Sequence, residues 1–383
     1  MVCKKMGRRS LKIGIVCYPT FGGSGVIATE LGAGLAKEGH EVHFITSSQP
    51  VKLNVFDNNI FFHEVSLQPY PLFEHQPYEV ALTSKIVEVV KCEDLDVLHV
   101  HYAIPHASAA FMAKEILKTQ NITIPYITTL HGTDITLVGK EPEYEPAISF
   151  AINQSDIVTS VSDSLRKETY EHFNVTKEIE VIENFVCVDK FKKKDKACRK
   201  ALFAPNGEAI LMHISNFRKV KRIQDVIKIH SIVNKELPTR LVLIGDGPER
   251  SSMERLVKRL KVEDSTFFLG KIKETEKALC AADIYLMTSQ TESFGVSALE
   301  AMAAGVPVIS TNTGGIPEVN SHGETGYLSN VGDFEDMAEN TLKLLRDKKL
   351  YDRLSLNATK NADRFNISNV LPNYLDLYYK AIS

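Results

Sequence analysis

The sequence predicts an α/β protein whose two domains each carry a doubly wound, mainly parallel sheet. Three observations carry that expectation. Short apolar runs alternate with segments of helical periodicity, as βαβ units require. The runs are continuous rather than alternating in polarity, which marks strands covered on both faces. The alternation also breaks once, at a cation-rich stretch, and then restarts. With 383 residues, 44% of them hydrophobic, the chain can bury two cores of ordinary size.

Residues 1–10 carry Lys4, Lys5, Arg8 and Arg9, but the apolar run that follows is bounded by Lys12 and Pro19 and lacks a small-residue cleavage site. They read as an extension, not a signal peptide. A strand at 11–17, a helix at 26–38 ended by Gly39 and a strand at 41–46 open the first domain. Further strands are expected near 60–65, 96–101, 124–130, 156–161 and 179–182, with helices near 78–91, 106–118, 145–154 and 163–172. Residues 189–200 hold seven Lys or Arg and no apolar period, which places a linker there. The pattern then resumes with strands near 209–214, 240–244, 265–269, 283–287 and 306–310 and helices near 222–235, 249–260, 274–281 and 296–304. Helices near 333–346, 348–362 and 367–381 end the chain. The expected domains are therefore 11–188 and 201–365, with 366–383 a helix that packs back on the first domain.

Charge and cysteine usage narrow the function. A net charge of −3, from 45 basic and 48 acidic residues, gives no global field for nucleic acid or anionic lipid. No stretch is long enough to span a bilayer, so stable membrane insertion is not expected. Six scattered cysteines without C-x-x-C spacing fit free thiols in a reducing, cytoplasmic setting. The composition is compatible with a homo-oligomer.

Two such domains joined by a linker put the carboxyl ends of their strands across a shared cleft, where ligands bind. Chemistry is therefore expected just after strands. Residues 291–305 are the central case: a polar loop holding Glu292, Ser293, Phe294 and Gly295, then a helix from about Val296 rich in alanine. Its first N–H groups lack intrahelical partners and suit an anion or a polarised sugar hydroxyl. Glu292 and Glu300, eight residues apart, are too distant to share a proton; one can bind a sugar and the other a ribose, or they are a cap and a solvated helix residue. Gly22, Gly23, Ser24 and Gly25 follow the first strand and let backbone approach a phosphate, although the pattern is neither the dinucleotide fingerprint nor a P-loop. Tyr102 stands at a strand end beside His99, His101 and His106; no third metal ligand has suitable spacing, so no metal is expected. Thr129 and His131 close the next strand, where His131 can donate to a sugar hydroxyl or, with Thr133 and Asp134, form a backbone-bonded turn. In the second domain, Asn216, Arg218, Lys219, Lys221 and Arg222 lie between strand and helix, where Arg218 and Lys221 can neutralise a leaving diphosphate. Glycine-rich turns at Gly245, Gly247 and Gly270, with Lys271, and at Gly314 and Gly315 can admit a nucleobase.

Taken together, Gly-Gly-Ser-Gly at 22–25, the basic loop 216–222, Gly245-Asp246-Gly247-Pro248, Glu292-Ser293-Phe294-Gly295 with Glu300, and Gly314-Gly315-Ile316-Pro317-Glu318 resemble the retaining GT-B glycosyltransferases of family four. The likeness runs over residues 11–380 and implies two Rossmann-like domains facing a central cleft. The finer match at Cys17-Tyr18-Pro19, residues 99–106, residues 130–134 and residues 215–222 looks like the members that transfer N-acetylglucosamine from UDP-GlcNAc to L-malate, the opening step of bacillithiol biosynthesis. The resemblance places Gly23 and Ser24 at the donor phosphates, Arg218 and Lys221 at the diphosphate, Lys271 at the uracil through its backbone, and Glu300 at the ribose. Glu292 and the N–H groups of Phe294, Gly295 and Val296 would hold the sugar, with His131 near it and Tyr102 and Thr129 facing malate. It also implies no metal or other cofactor. Asn216 departs from the family, standing where many relatives carry the first cation of the loop. Other family-four acceptors, a UDP-GlcNAc isomerase and a nucleotide-sugar binding protein remain the alternatives.

Overall fold

The computed structural model describes residues 9–20, 22–67, 77–137, 141–191 and 196–383. The chain forms two compact units, the first comprising residues up to Val161, Leu165–Ile182 and Leu371–Ser383, the second Ser162–Ser164 and Glu183–Val370.

In the first unit seven strands, β1 (Lys12–Val16), β2 (Glu41–Thr46), β3 (Ile60–Glu64), β4 (Val97–His101), β5 (Tyr126–Leu130), β6 (Ile157–Ser160) and β7 (Ile179–Val181), lie in the order β3-β2-β1-β4-β5-β6-β7. Every pairing is parallel. All five residues of β4 and of β5 are buried, the outcome for strands covered on both faces. The helix Gly23–Lys37 returns from β1 to β2 and buries Ile27, Ala28, Leu31 and Leu35. From the C-terminal helix Ile367–Ile382, the fully buried Tyr374 and Tyr378 pack their rings against His99.

The second unit repeats the architecture with six parallel strands, β8 (Ala209–Ile214), β9 (Thr239–Ile244), β10 (Thr266–Gly270), β11 (Ile284–Met287), β12 (Val308–Thr311) and β13 (Gly326–Ser329), in the order β10-β9-β8-β11-β12-β13. Leu211, Leu241, Leu243 and Leu286 from the strands pack with Val226, Ile227, Met337 and Leu344 from the helices. In each sheet the order reverses once, at β1/β4 and at β8/β11, and there the loops after the strands diverge to opposite faces.

Three features differ from expectation. The strand β13 was not anticipated, because four residues between glycine-rich turns give too short a run to show a period. Helix Lys196–Phe203 occupies part of the stretch read as a linker, whose residues 192–195 lie outside the described ones. The second unit also begins at Glu183, not after residue 188, since Val186 N donates to Phe365 O at 2.9 Å and Ile367 N to Val186 O at 3.1 Å. Of the expected N-terminal extension, residues 1–8 lie outside the described ones. Arg9 and Ser10 are tied down, to Asp96 Oδ1 at 2.8 Å and to Gly39 O at 2.6 Å. Among the described residues no helix is long and apolar enough to cross a membrane.

Candidate active site

In the first unit the side chains singled out in the sequence gather after β1, β4 and β5. Tyr102, first beyond β4, adopts φ +88°, a conformation side-chain-bearing residues seldom take. Its hydroxyl donates to Ser24 Oγ at 2.6 Å, which ties the loop after β4 to the first turn of helix Gly23–Lys37. Burial pushes the Tyr102 phenol up to about 12, so it remains a donor at neutral pH. Gly23 beside it is exposed, whereas Phe21 lies outside the described residues.

Behind Tyr102 stand four buried histidines, His99, His101, His106 and His131. His101 Nδ1 meets His131 Nε2 at 2.8 Å, and the His101 ring stacks between those of His99 and His131 in one column. His106 donates from Nδ1 to His101 O. Burial, with neighbouring imidazoles, pushes His99 and His131 down to about 3 and His101 well below its ordinary value. His106 falls to about 4 by burial, against the hydrogen bond to His101 that raises it. At pH 7 the cluster is neutral. It can donate hydrogen bonds to a substrate but supplies no positive charge to a carboxylate.

Thr129, expected to face an acceptor, is wholly buried, and its hydroxyl lies 2.7 Å from both His99 Nε2 and Thr159 Oγ1. It stands within β5, one residue before the strand ends, and its side chain lies on the sheet face that Tyr374 of the C-terminal helix covers. A contribution the sequence understated comes from Asp134. Its Oδ2 accepts from Ala103 N at 2.7 Å, so the turn after β5 braces the loop after β4. Burial pushes the Asp134 carboxyl up to about 6, against backbone hydrogen bonds that lower it.

In the second unit the basic loop after β8 divides by partner. Arg222 holds the buried Asp225, with Nε 2.7 Å from Oδ2, and Lys221 Nζ lies 2.5 Å from Glu292 Oε2. Arg218 and Lys219 are exposed, as is Asn216, whose carbonyl accepts from Arg218 N at 2.7 Å. Glu292 sits in the loop after β11 and also accepts from Ser289 Oγ at 3.2 Å, a residue the sequence reading passed over. Its position three residues before Glu292, in a polar loop, was the available signal.

Two glycines set how closely these loops approach. A Cβ on Gly245, at φ +127°, would lie 1.8 Å from Ser215 O, and one on Gly314, at φ +53°, would lie 2.1 Å from Glu292 O. Only glycine fits either position. Gly245 N further donates to Gly270 O at 2.8 Å, and the exposed Lys271 follows. Gly295, at φ +97°, caps the helix Val296–Ala303. The Phe294 ring is 1% exposed and meets Phe365 edge-on, so a ligand can use only its backbone. Ser293 and Val296 are half-buried, and Glu300 lies half-buried in the helix's second turn. The structure thus joins Ser24 to Tyr102, His131 to His101 and Lys221 to Glu292. Arg218 has no ion pair among the described residues.

Residues 21–190 match the family described as Glycosyltransferase Family 4, and residues 194–361 that described as Glycosyl transferases group 1. The chain is 46% identical over 374 residues to the N-acetyl-alpha-D-glucosaminyl L-malate synthase of Bacillus anthracis, covering 97% of each chain. It is 36% identical over 154 residues, 38% of this chain and 40% of the other, to the 2-deoxystreptamine N-acetyl-D-glucosaminyltransferase of Niallia circulans. The fold matches the Anabaena protein HepE, solved with UDP and glucose, at a TM-score of 0.81 and 18% identity, covering 96% of this chain and 99% of that one.

Proposed function

This chain belongs to family four of the glycosyltransferases, with the GT-B fold, and we propose that it transfers N-acetylglucosamine from UDP-GlcNAc to the hydroxyl of L-malate, with retention of the α configuration. The observation that carries this reading is the 46% identity, over 97% of both chains, to the synthase of that name. In a bacillithiol-producing cell this would be the first step of that pathway.

Arg218 and Lys221 take the diphosphate, as cations after β8 suited to its charge, with Asn216 in the same loop and Gly245 directly after the neighbouring strand β9. Lys271 meets the uracil through its backbone and Glu300 the ribose. Glu292 and Ser293, with the N–H groups of Phe294, Gly295 and Val296, hold the sugar at the helix N-terminus. From the first unit Gly23 and Ser24 serve the donor phosphates, while Tyr102 and the neutral His131 donate hydrogen bonds toward acceptor and sugar. The bond from the anomeric carbon to the phosphate oxygen breaks as the bond to the malate oxygen forms on the same face. The malate proton passes to the departing phosphate oxygen. Arg218 and Lys221 stabilise the charge that develops there, and the scheme needs no metal.

The test incubates purified protein with UDP-GlcNAc in EDTA, with and without L-malate, following UDP release and product mass. Malate-dependent UDP with a GlcNAc-malate mass supports the reading. UDP-GlcNAc binding without malate-dependent turnover overturns the acceptor assignment, and turnover abolished by EDTA while circular dichroism shows the fold intact overturns the metal-free scheme.

A further inference from the structure

Away from the loops after the strands, at the starting end of β2, a second group of side chains converges that the transfer reaction does not use. His43 in β2 is fully buried. Its Nε2 lies 3.0 Å from Glu41 Oε1. A carboxylate only accepts, so that nitrogen carries the proton and Nδ1 presents a lone pair. The lone pair does not face an evident donor of fixed polarity: 2.9 Å away stands Nε2 of a second imidazole, His63, on the same face of β3. A carboxylate oxygen of Glu93, the last residue of helix Tyr78–Glu93, completes the group, all three ligand atoms lying within 4.8 Å of one another.

We propose that His43, His63 and Glu93 bind a divalent transition-metal ion of the zinc class. Two imidazole nitrogens and one carboxylate are the donor set such ions take, and water from the half-exposed side of His63 and Glu93 fills the remaining position. Tetrahedral zinc at 2.0–2.1 Å from each nitrogen separates the two by about 3.3 Å. The observed 2.9 Å therefore needs to open only by a few tenths of an ångström, with the His63 proton moving to Nδ1. Glu41 behind His43 is the outer carboxylate that fixes tautomer and ring orientation in histidine metal sites. The surrounding charges are Lys12, which lies 3.6 Å from Glu41 and donates to the Glu93 carbonyl at 2.8 Å, and Lys85 and Glu88 beside His63. Burial, with the neighbouring His43, holds the His63 imidazole below its ordinary range. The ion would pin the edge strand β3 and the end of helix Tyr78–Glu93 to β2, a structural role independent of the transfer chemistry.

The experiment titrates chelator-stripped full-length protein with cobalt, read by its visible ligand-field bands, and with zinc in competition with a chromophoric chelator. One equivalent per chain is expected, with a rise in melting temperature. His63→Gln and Glu93→Gln, both at half-exposed positions, abolish uptake and the thermal shift while circular dichroism confirms the fold. Glu41→Gln weakens binding by roughly 10–100-fold. His322→Gln, at an exposed histidine elsewhere, leaves it unchanged. No stoichiometric uptake, or uptake that survives both His63→Gln and Glu93→Gln, overturns the proposal, as does uptake lost only in His322→Gln.

Discussion

Lys221 Nζ and Glu292 Oε2 lie 2.5 Å apart, with their side chains only 20% and 17% exposed. The pair joins the loop after β8 to the loop after β11, and each charge satisfies the other. Under the proposed roles a bound donor must draw both away, the ammonium toward the diphosphate and the carboxylate toward the sugar. Glu292→Gln should therefore leave UDP affinity unchanged or severalfold tighter, because the competing carboxylate is gone. Its kcat should fall by roughly 10²–10³, the scale for losing one transition-state contact. Lys221→Ala should weaken UDP binding and also destabilise the fold, since it strands a largely buried carboxylate. UDP calorimetry and steady-state rates separate these; a Glu292→Gln enzyme with unchanged kcat would remove Glu292 from the mechanism.

The Tyr102–Ser24 contact predicts an asymmetry between its two halves. Ser24→Ala leaves a buried phenol without its acceptor and should cost about 1–3 kcal/mol, whereas Tyr102→Phe removes the donor and should cost about 1 kcal/mol. Both should raise KM, since the contact holds the glycine-rich loop against the strand end. Urea unfolding alongside KM measurements checks the order; equal stability costs would count against it.

The first unit should be acid-labile. His99 and His131 have folded values of about 3 and His106 of about 4, while the unfolded chain protonates near the ordinary 6.5. Below pH 6.5 the unfolded state binds more protons, so the stability these groups allow is present above 6.5 and lost as the pH falls toward 3–4. Unfolding midpoints should therefore drop steeply between pH 6.5 and 4.5, and a flat profile there would contradict the neutral cluster.

Asp134 works in the opposite direction. Its carboxyl titrates at about 6 when folded and near 3.8 when free, so the native state binds more protons between those values. Its contribution to stability is therefore greatest below pH 3.8 and declines as the pH rises to 6, by about 3 kcal/mol from a shift of roughly two units. Asp134→Asn still accepts from Ala103 N but removes this term. Its loss of stability between pH 7 and 4 should exceed the wild type's by about that amount, as measured by denaturant unfolding at fixed pH values.

Much of the architecture was legible because it is written in short-range patterns. The runs at 41–46 and 209–214 coincide with β2 and β8, and Glu145–Gln154 is a helix where the period places one. Glu292 and Lys221 could be named from their places after strands, but their pairing could not, since it spans 71 residues and depends on β8 and β11 being neighbours. The same holds for His99 and Tyr378, separated by 279 residues. Thr129, a strand-end polar residue read as facing ligand, stands one residue before the end of β5 and is covered on its face of the sheet, which no spacing reveals. Nor could the sequence show that four histidines would be neutral, because that follows from burial and not from spacing.

Gly314 offers a last test of how the loop holding Glu292 is positioned. Its φ of +53° is only mildly unfavourable for alanine, yet the added Cβ would lie 2.1 Å from Glu292 O, a backbone atom that cannot swing aside like a side chain. The clash must be relieved by moving the 292 peptide, which also accepts from Gly315 N at 2.9 Å. Gly314→Ala should therefore reduce UDP-sugar turnover at least tenfold, about 1.4 kcal/mol of barrier, with most of the fold's stability kept. Gly39→Ala is the control: its φ is +95° with nothing within 4 Å of the new Cβ, so it carries conformational strain without a clash. If both variants lose activity equally, backbone strain alone would account for Gly314. Loss confined to Gly314→Ala would show that the close approach of the two loops is what holds Glu292 in place.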